Sequence, residues 1–401
     1  MIKELTKEKT SLPVGWVLKT LGEVCEINPK KSEINNLPAN HLVSFLPMKD
    51  LGIAQNQIKP IIIKQLSEVK GSYTYFKNND VLLAKVTPCF ENGKLGIAKN
   101  LKNEIGFGSS EYIVFRPKNE TLSEYLFYIL SSSKFRKRGK ELMYGAVGLK
   151  RLSKDYVKNF IALFPPIEKQ KQIVAILDKA FAAIDTAKAN AEQNLQNAKE
   201  LFESYLQNIF ENKGDDWEEK TLGEVCSLYQ GLAINAKTKH ALVEKSNLPL
   251  LRIKDLKNNT EVKFIDPNNY PANALVLEED IIYTRTGSLG LVFRGRKGVL
   301  HNNSFKVVPN DALSKDFLFI WLQNPIFKSK IMSLAHKAAQ PDITHKIFKI
   351  QKINIPPLAD QVIIVNKIDN LSTETIKLEA IYTQKIADLE EMKKSVLQKA
   401  F

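Results

Sequence analysis

The sequence predicts a mixed α/β chain built twice over: two similar globular domains, each closed by a long helix, with the two helices paired as a coiled coil. Three observations predict this. The stretch Lys19–Cys25 (KTLGEVC) recurs without change at Lys220–Cys226, each copy with a Trp three residues ahead of it (Trp16, Trp217). The 47 residues from Phe164 to Phe210 align without a gap with those from Ile355 to Phe401. Apolar residues are spaced at alternating fours and threes inside those aligned segments, and in short β-like runs outside them.

In chain order, the pattern divides into a first domain over 1–163, a helix over 164–212, a second domain over 213–354 and a last helix over 355–401. The domain interiors carry runs such as IKPIIIK, DVLLAKV, EYIVFRP and DIIYTRT, punctuated by Gly, Asn and Pro, which read as strands of a sheet. Asp80-Val-Leu-Leu is echoed by Asp280-Ile-Ile-Tyr, and Tyr125–Phe135 by Phe317–Phe327. Helix-like stretches lie near each domain's end, at Leu122–Lys134 and Lys315–Leu322. Each long segment opens on Pro-Pro, which suits an extended lead-in and a helix first turn. The first seam reads Ile173, Leu177, Ala180, Ile184, Ala187, Ala191, Asn194, Ala198, Leu201, Tyr205. The second reads Ile364, Ile368, Leu371, Thr375, Leu378, Tyr382, Lys385, Leu389, Met392, Val396. Both run long enough for a coiled coil, and the polar Asn194 and Lys385 hold equivalent places, where they would fix register. A helix of ~40 residues is ~60 Å long, so an antiparallel pair would act as a ruler between the domains.

The chain has 401 residues, of which 44% are apolar and 25% charged, as in ordinary globular domains. Its formal charge of +14 is unevenly spread. Residues 28–163 hold 22 basic and 11 acidic side chains, and residues 228–354 hold 19 and 10. The two long segments are slightly acidic. Basic domains with Asn, Gln, Ser and aromatics in their loops suit a polyanion, and two of them on a stiff spacer suit duplex DNA. Three cysteines and five histidines have spacing that fits neither a disulfide framework nor a zinc site. Cys25 and Cys226 read as buried structural thiols. The start lacks the apolar core of a signal peptide and no apolar run reaches ~20 residues, so a cytoplasmic location and no membrane partner are expected.

The sequence carries neither a GxxxxGK[ST] loop nor HExxH, GxSxG or GxGxxG. Thr87-Pro-Cys-Phe has the outline of an Asn/Asp-Pro-Pro-aromatic methyltransferase motif but lacks its leading amide or carboxylate and its second Pro, and reads as a loop. Pro341-Asp342 reads as a loop too.

The layout resembles the specificity subunit of type I DNA restriction-modification enzymes over essentially the whole chain. The stretches that carry the likeness are Gln340-Pro-Asp-Ile-Thr followed by Ile355-Pro-Pro-Leu-Ala-Asp-Gln and the long helix, and the opening Trp217–Val225. The first half ends in altered form, with Gly148-Leu-Lys-Arg-Leu-Ser before Phe164-Pro-Pro-Ile-Glu-Lys-Gln and Ala146-Val147-Gly148 in place of Gln-Pro. The resemblance implies two target-recognition domains, each reading one half of a bipartite, asymmetric duplex site. It implies that the helices pair antiparallel, set the spacer and dock two modification subunits. It further implies that the chain is non-catalytic. S-adenosylmethionine, ATP and Mg²⁺ would serve those methyltransferase subunits and the restriction subunits that join them. The alternative is a diverged DNA methyltransferase or nuclease with its own catalytic site; a further one is a scaffold between two proteins.

DNA contacts are expected from loop side chains suited to phosphates or base edges. In the first domain these are Lys85, Thr87, Lys94, Lys150 and Arg151. In the second they are Arg285, Thr286, Ser288, Arg294, Arg296, His301, Asn302, Asn303 and Gln340. Lys85 and Arg285 stand at equivalent places after Asp80 and Asp280. The basic stretch Lys134–Lys140 reads equally as a phosphate contact or a solvated helix end.

Overall fold

A computed structural model describes residues 12–401 apart from 59, 61, 147 and 336–340. Gln340 and Val147 therefore lie outside the described residues. The chain forms two compact units. The first joins residues up to Asn190 with Lys385–Phe401, and the second comprises Ala191–Gln384.

In the first unit, the repeated opening forms the strand Val17–Thr20, which pairs antiparallel with Ile161–Phe164 at the domain's end. The short helix Leu21–Val24 follows, started by a reciprocal cap in which Glu23 accepts from the Thr20 N–H and Thr20 Oγ1 accepts from the Glu23 N–H. Beyond it lies a five-stranded sheet ordered 25–27, 112–117, 81–84, 95–98, 55–58, and a four-stranded one ordered 62–65, 42–46, 105–108, 74–77. The strand Val81–Ala84 is buried along its whole length. Val81 and Leu83 face a core shared with the helix Ser123–Ser131, and Leu82 and Ala84 face a second core with Leu46 and Val114. A strand covered on both faces has no polar side to show, which is why its sequence is an unbroken apolar run.

The second unit repeats this frame. Glu218–Thr221 pairs antiparallel with Lys352–Ile355, and Leu222–Val225 repeats the capped helix. The central sheet is ordered 226–230, 304–309, 281–284, 292–293. Ile281–Thr284 is buried throughout, like its counterpart, and the helix Lys315–Trp321 covers one face. Cys25 and Cys226 open equivalent strands. Both are buried and unpaired, and burial pushes each thiol up to about 12.

The long helices run Ile167–Glu211 and Leu358–Ala400. Each starts with a buried glutamine that bolts it to a domain. Gln170 donates to the carbonyls of Glu120 and Pro165 and accepts from the Leu122 N–H, all at 2.8–3.0 Å. Gln361 repeats the pattern with Ala312, Pro356 and Ser314. Both glutamines are 0% exposed.

The helices pair antiparallel. In the first unit Asp185 bonds Lys393 and Lys188 bonds Glu390, while Val396, Leu397 and Phe401 pack on the core that holds Val174 and Leu177. In the second, Leu206 and Phe210 share a core with Val365 and Ile368. The seam differs in part from the sequence expectation. Leu177, Ile184, Ala191 and Ala198 are buried on the first helix, and Ile368 and Thr375 on the second. Ile173, Ile364, Leu371 and Leu389 are half-buried. Asn194, Leu201, Leu378, Lys385 and Met392 are exposed instead, Leu201 to 65%. Their places on the covered stripe are taken by Leu195, Phe202, Glu379, Ile386 and Lys393. The reason is angular. A residue four on from a buried anchor lies ~40° from the anchor's line, and one three on lies ~60° away on the other side. Bulky Phe181, Leu195 and Phe202 hold the nearer place.

Candidate nucleic-acid interface

Aspartates close the turns that lead into both buried strands. Asp80 accepts from the Lys77 N–H at 2.7 Å and Asp280 from the Leu277 N–H at 2.9 Å. Burial raises the Asp80 carboxyl, while the Arg116 fork at 2.8–2.9 Å works against that rise. Each strand therefore enters the core at a fixed point, and the residue just past its far end is held the same way in both domains. Lys85 donates its N–H to Glu111 and its carbonyl accepts from Leu152, at 2.9 and 2.7 Å. Arg285 donates to Asn303 and accepts from Ile343, both at 2.9 Å. The next residue bridges the segment that closes the domain, Val86 to Arg151 and Thr286 to Asp342. Ser153 and Thr344 then cap equivalent short helices. The backbone thus places Lys85 and Arg285 in equivalent positions, as the echo of Asp80 and Asp280 suggested.

The side chains on this frame differ. In the first domain Arg151 forks onto Glu111, with Nε 3.1 Å from Oε2 and Nη2 2.9 Å from Oε1. That pairing holds Glu111 below the usual carboxylate range. Lys85 turns inward, its Nζ 2.8 Å from the Ser110 carbonyl and 3.8 Å from Glu111, and burial lowers its ammonium. Thr87 accepts at Oγ1 from the Lys150 N–H at 3.0 Å, leaving the Lys150 side chain exposed. Lys94 is elsewhere: its Nζ is spent on the carbonyls of Met48 and Lys49 at 2.8 and 3.3 Å.

In the second domain Arg285 forks onto Asp342, Nε 2.9 Å from Oδ1 and Nη2 bonded to Oδ2, and its Nη1 reaches Gln230 Oε1 at 3.1 Å. Gln230 in turn donates to the Asn302 carbonyl. His301 Nδ1 lies 2.8 Å from Asn303 Oδ1. Gly231 is required here, since a Cβ would stand 2.4 Å from the His301 carbonyl oxygen. Arg285, Thr286, His301, Asn302 and Asn303 thus form one cluster with Gln230 and Asp342. His345 lies at its edge, in T-shaped contact with Phe305 at 4.9 Å and with its Nε2 buried and, among the described residues, without a partner. Burial, then Arg285 and Lys349, lower its pKa, and Asp342 opposes them.

Three other candidates stand apart from that cluster. Ser288 accepts from Lys257 at 2.9 Å. Arg294 pairs with Asp316 and lies 4.2 Å over the Phe319 ring. Arg296 bonds Asn259 and the Thr260 carbonyl at 2.6 and 3.2 Å. The stretch Lys134–Lys140 lies in the helix Ser133–Glu141, with Phe135 and Gly139 buried. Arg136 there donates to the Phe90 carbonyl at 3.0 Å, and burial pushes it down to about 10.

Sequence reasoning missed the acceptors Glu111, Asp342 and Gln230, and the bolts Gln170 and Gln361. Only the glutamines left a trace, as the residue shared by the two Pro-Pro motifs. Among the described residues, no helix is long and apolar enough to cross a membrane.

The family model described as the type I restriction modification DNA specificity domain matches residues 13–197 and again 214–390. The EcoAI type I restriction enzyme specificity subunit of Escherichia coli is 33% identical over 208 residues, 51% of this chain and 35% of that one. The EcoEI specificity subunit, also of Escherichia coli, is 30% identical over 266 residues, 66% of this chain and 43% of that one. The chain therefore spans less than half the length of these curated relatives. Among solved structures, the HsdS subunit from Thermoanaerobacter tengcongensis shares the fold, with a TM-score of 0.70 at 18% identity over 98% of this chain and 97% of that one.

Proposed function

The chain belongs to the type I restriction modification DNA specificity domain family, and from that premise we propose that it is the sequence-reading subunit of a type I restriction-modification complex. Each domain reads one half of a bipartite duplex site. The antiparallel helices set the gap between the halves and dock two modification subunits, which transfer methyl groups from S-adenosylmethionine. Restriction subunits using ATP and Mg²⁺ complete the assembly, in the cytoplasm. This chain contributes recognition and no bond chemistry.

The observation that carries the reading is the duplicated frame with unlike contents. Two domains hold the same backbone position at the end of a buried strand and furnish it with different polar side chains. A symmetric enzyme has no use for that difference, whereas a reader of an asymmetric site requires it. The net excess of basic side chains in both domain interiors supports a polyanionic partner.

The test is a map of methylated bases in cells with and without this chain. The expected result is a two-part motif with a fixed gap that disappears with the chain. Deleting one seven-residue repeat from the central helix is expected to change the gap or abolish assembly, and an unchanged gap in an active complex removes the helices as ruler. Methyl transfer or cleavage by the purified chain alone would replace this reading with that of an enzyme.

A further inference from the structure

The frame around Lys85 and Arg285 is shared by both domains down to individual backbone hydrogen bonds, but the charges set on it are rearranged. The three equivalent places hold Lys85, Glu111 and Arg151 in the first domain and Arg285, Asn303 and Asp342 in the second. On this frame both domains thereby mount a forked arginine–carboxylate pair, on opposite partners. In the first domain the arginine comes from the closing segment, and in the second from the end of the buried strand.

We infer that this seat determines base identity in each half-site, with Arg151 and Arg285 as the base-reading side chains and Glu111 and Asp342 as positioning residues. The inference rests on the DNA-recognition reading above. A guanidinium has five N–H donors in a rigid fork. Asp342 takes two from Arg285 and Gln230 one, which leaves two uncommitted among the described residues. Glu111 takes two from Arg151, which leaves three among the same described residues. Two N–H groups are what guanine N7 and O6 accept in the major groove. The carboxylate fixes the plane of the guanidinium before DNA arrives, so little side-chain freedom remains to be lost on docking. Lys85 cannot serve in this way, because its ammonium is turned toward Ser110 and has no fork. The arginines remain reachable: the Arg151 side chain is 45% exposed and that of Arg285 23%.

The test uses the full chain in the complex with which it purifies from its own cells, selecting duplexes from a randomised pool that are then sequenced. The wild-type complex is expected to recover two half-sites, each with one guanine whose replacement lowers recovery about tenfold or more. Arg285→Lys keeps the charge and removes the fork. It is expected to erase the preference at one base pair of one half-site, leaving the other half-site and the salt dependence as they were. Arg151→Lys is expected to do the same in the other half-site alone. Asp342→Asn should weaken the same base preference as Arg285→Lys, and Asp342→Glu should retain it; a merely structural carboxylate would instead lower recovery of every sequence together. Unchanged half-sites in both lysine variants overturn the inference and leave the DNA-recognition reading standing. An equal loss at all positions assigns the arginines to phosphates and overturns it as well. A wild-type complex without any sequence preference overturns the recognition reading, and this inference with it.

Discussion

Single buried polar side chains hold the long helices to the domains. Gln170 satisfies three backbone groups that come from the domain and from the Pro-Pro lead-in. Replacing it by Ala strands the Leu122 N–H and two carbonyls, which costs roughly 1–3 kcal/mol or more in a buried site. Gln170→Ala is expected to lower the unfolding free energy of the first unit by that amount, read from the shift of its denaturant midpoint, and Gln361→Ala that of the second. His345 gives a pH dependence. Its folded pKa is lowered, so below about 6.5 the unfolded chain binds more protons than the folded one. Its contribution to stability is complete above that pH and is lost as the pH falls toward the depressed value. Unfolding of the second unit between pH 5 and 7 is expected to show this slope, and His345→Leu to flatten it. Legibility at this scale followed chemistry that repeats. Arg285 stood out because Lys85 echoes it, but its acceptor Asp342 lies 57 residues on, within a loop. Lys94 could not be judged beforehand, because backbone carbonyls, which every residue carries, take up its ammonium.

Elements were easier to read where burial is one-sided or complete. Val81–Ala84 and Ile281–Thr284 are plain in the sequence because both faces are covered. Small strands such as Leu250–Leu251, which pairs parallel with part of Gly298–Leu300, are too short to set a period and depend on partners distant in sequence. The helices were visible from their apolar spacing, but the covered line was not, since spacing alone does not choose between the positions three and four past an anchor, and past Ala198 both hold large apolar residues. Phe202 against Leu201 separates the two. Phe202 packs on the core of the second unit, while Leu201 is largely exposed. Phe202→Ala is expected to cost about 2 kcal/mol, below the range for a fully buried ring. Leu201→Lys is expected to stay within about 0.5 kcal/mol. Thermal unfolding of the two variants measures the difference.

The duplication that organises the molecule was the clearest signal in the chain, but it did not announce how the parts are shared out. Each unit draws residues from both long helices, so a boundary drawn between domain and helix along the sequence cuts through a core. In the first unit, Val396, Leu397 and Phe401 fill positions beside Tyr125 and Leu177 that its own first 190 residues leave open. Removing Lys385–Phe401 is therefore expected to destabilise the first unit more than the second, read as separation of two unfolding transitions in calorimetry. Cys25 and Cys226 offer a way to follow such events one unit at a time. A thiol that titrates near 12 is almost wholly protonated at neutral pH, and alkylating reagents attack the thiolate. Each cysteine stays inert until the strand that shelters it opens, so the rate at which it takes up iodoacetamide is a clock for its own half of the molecule.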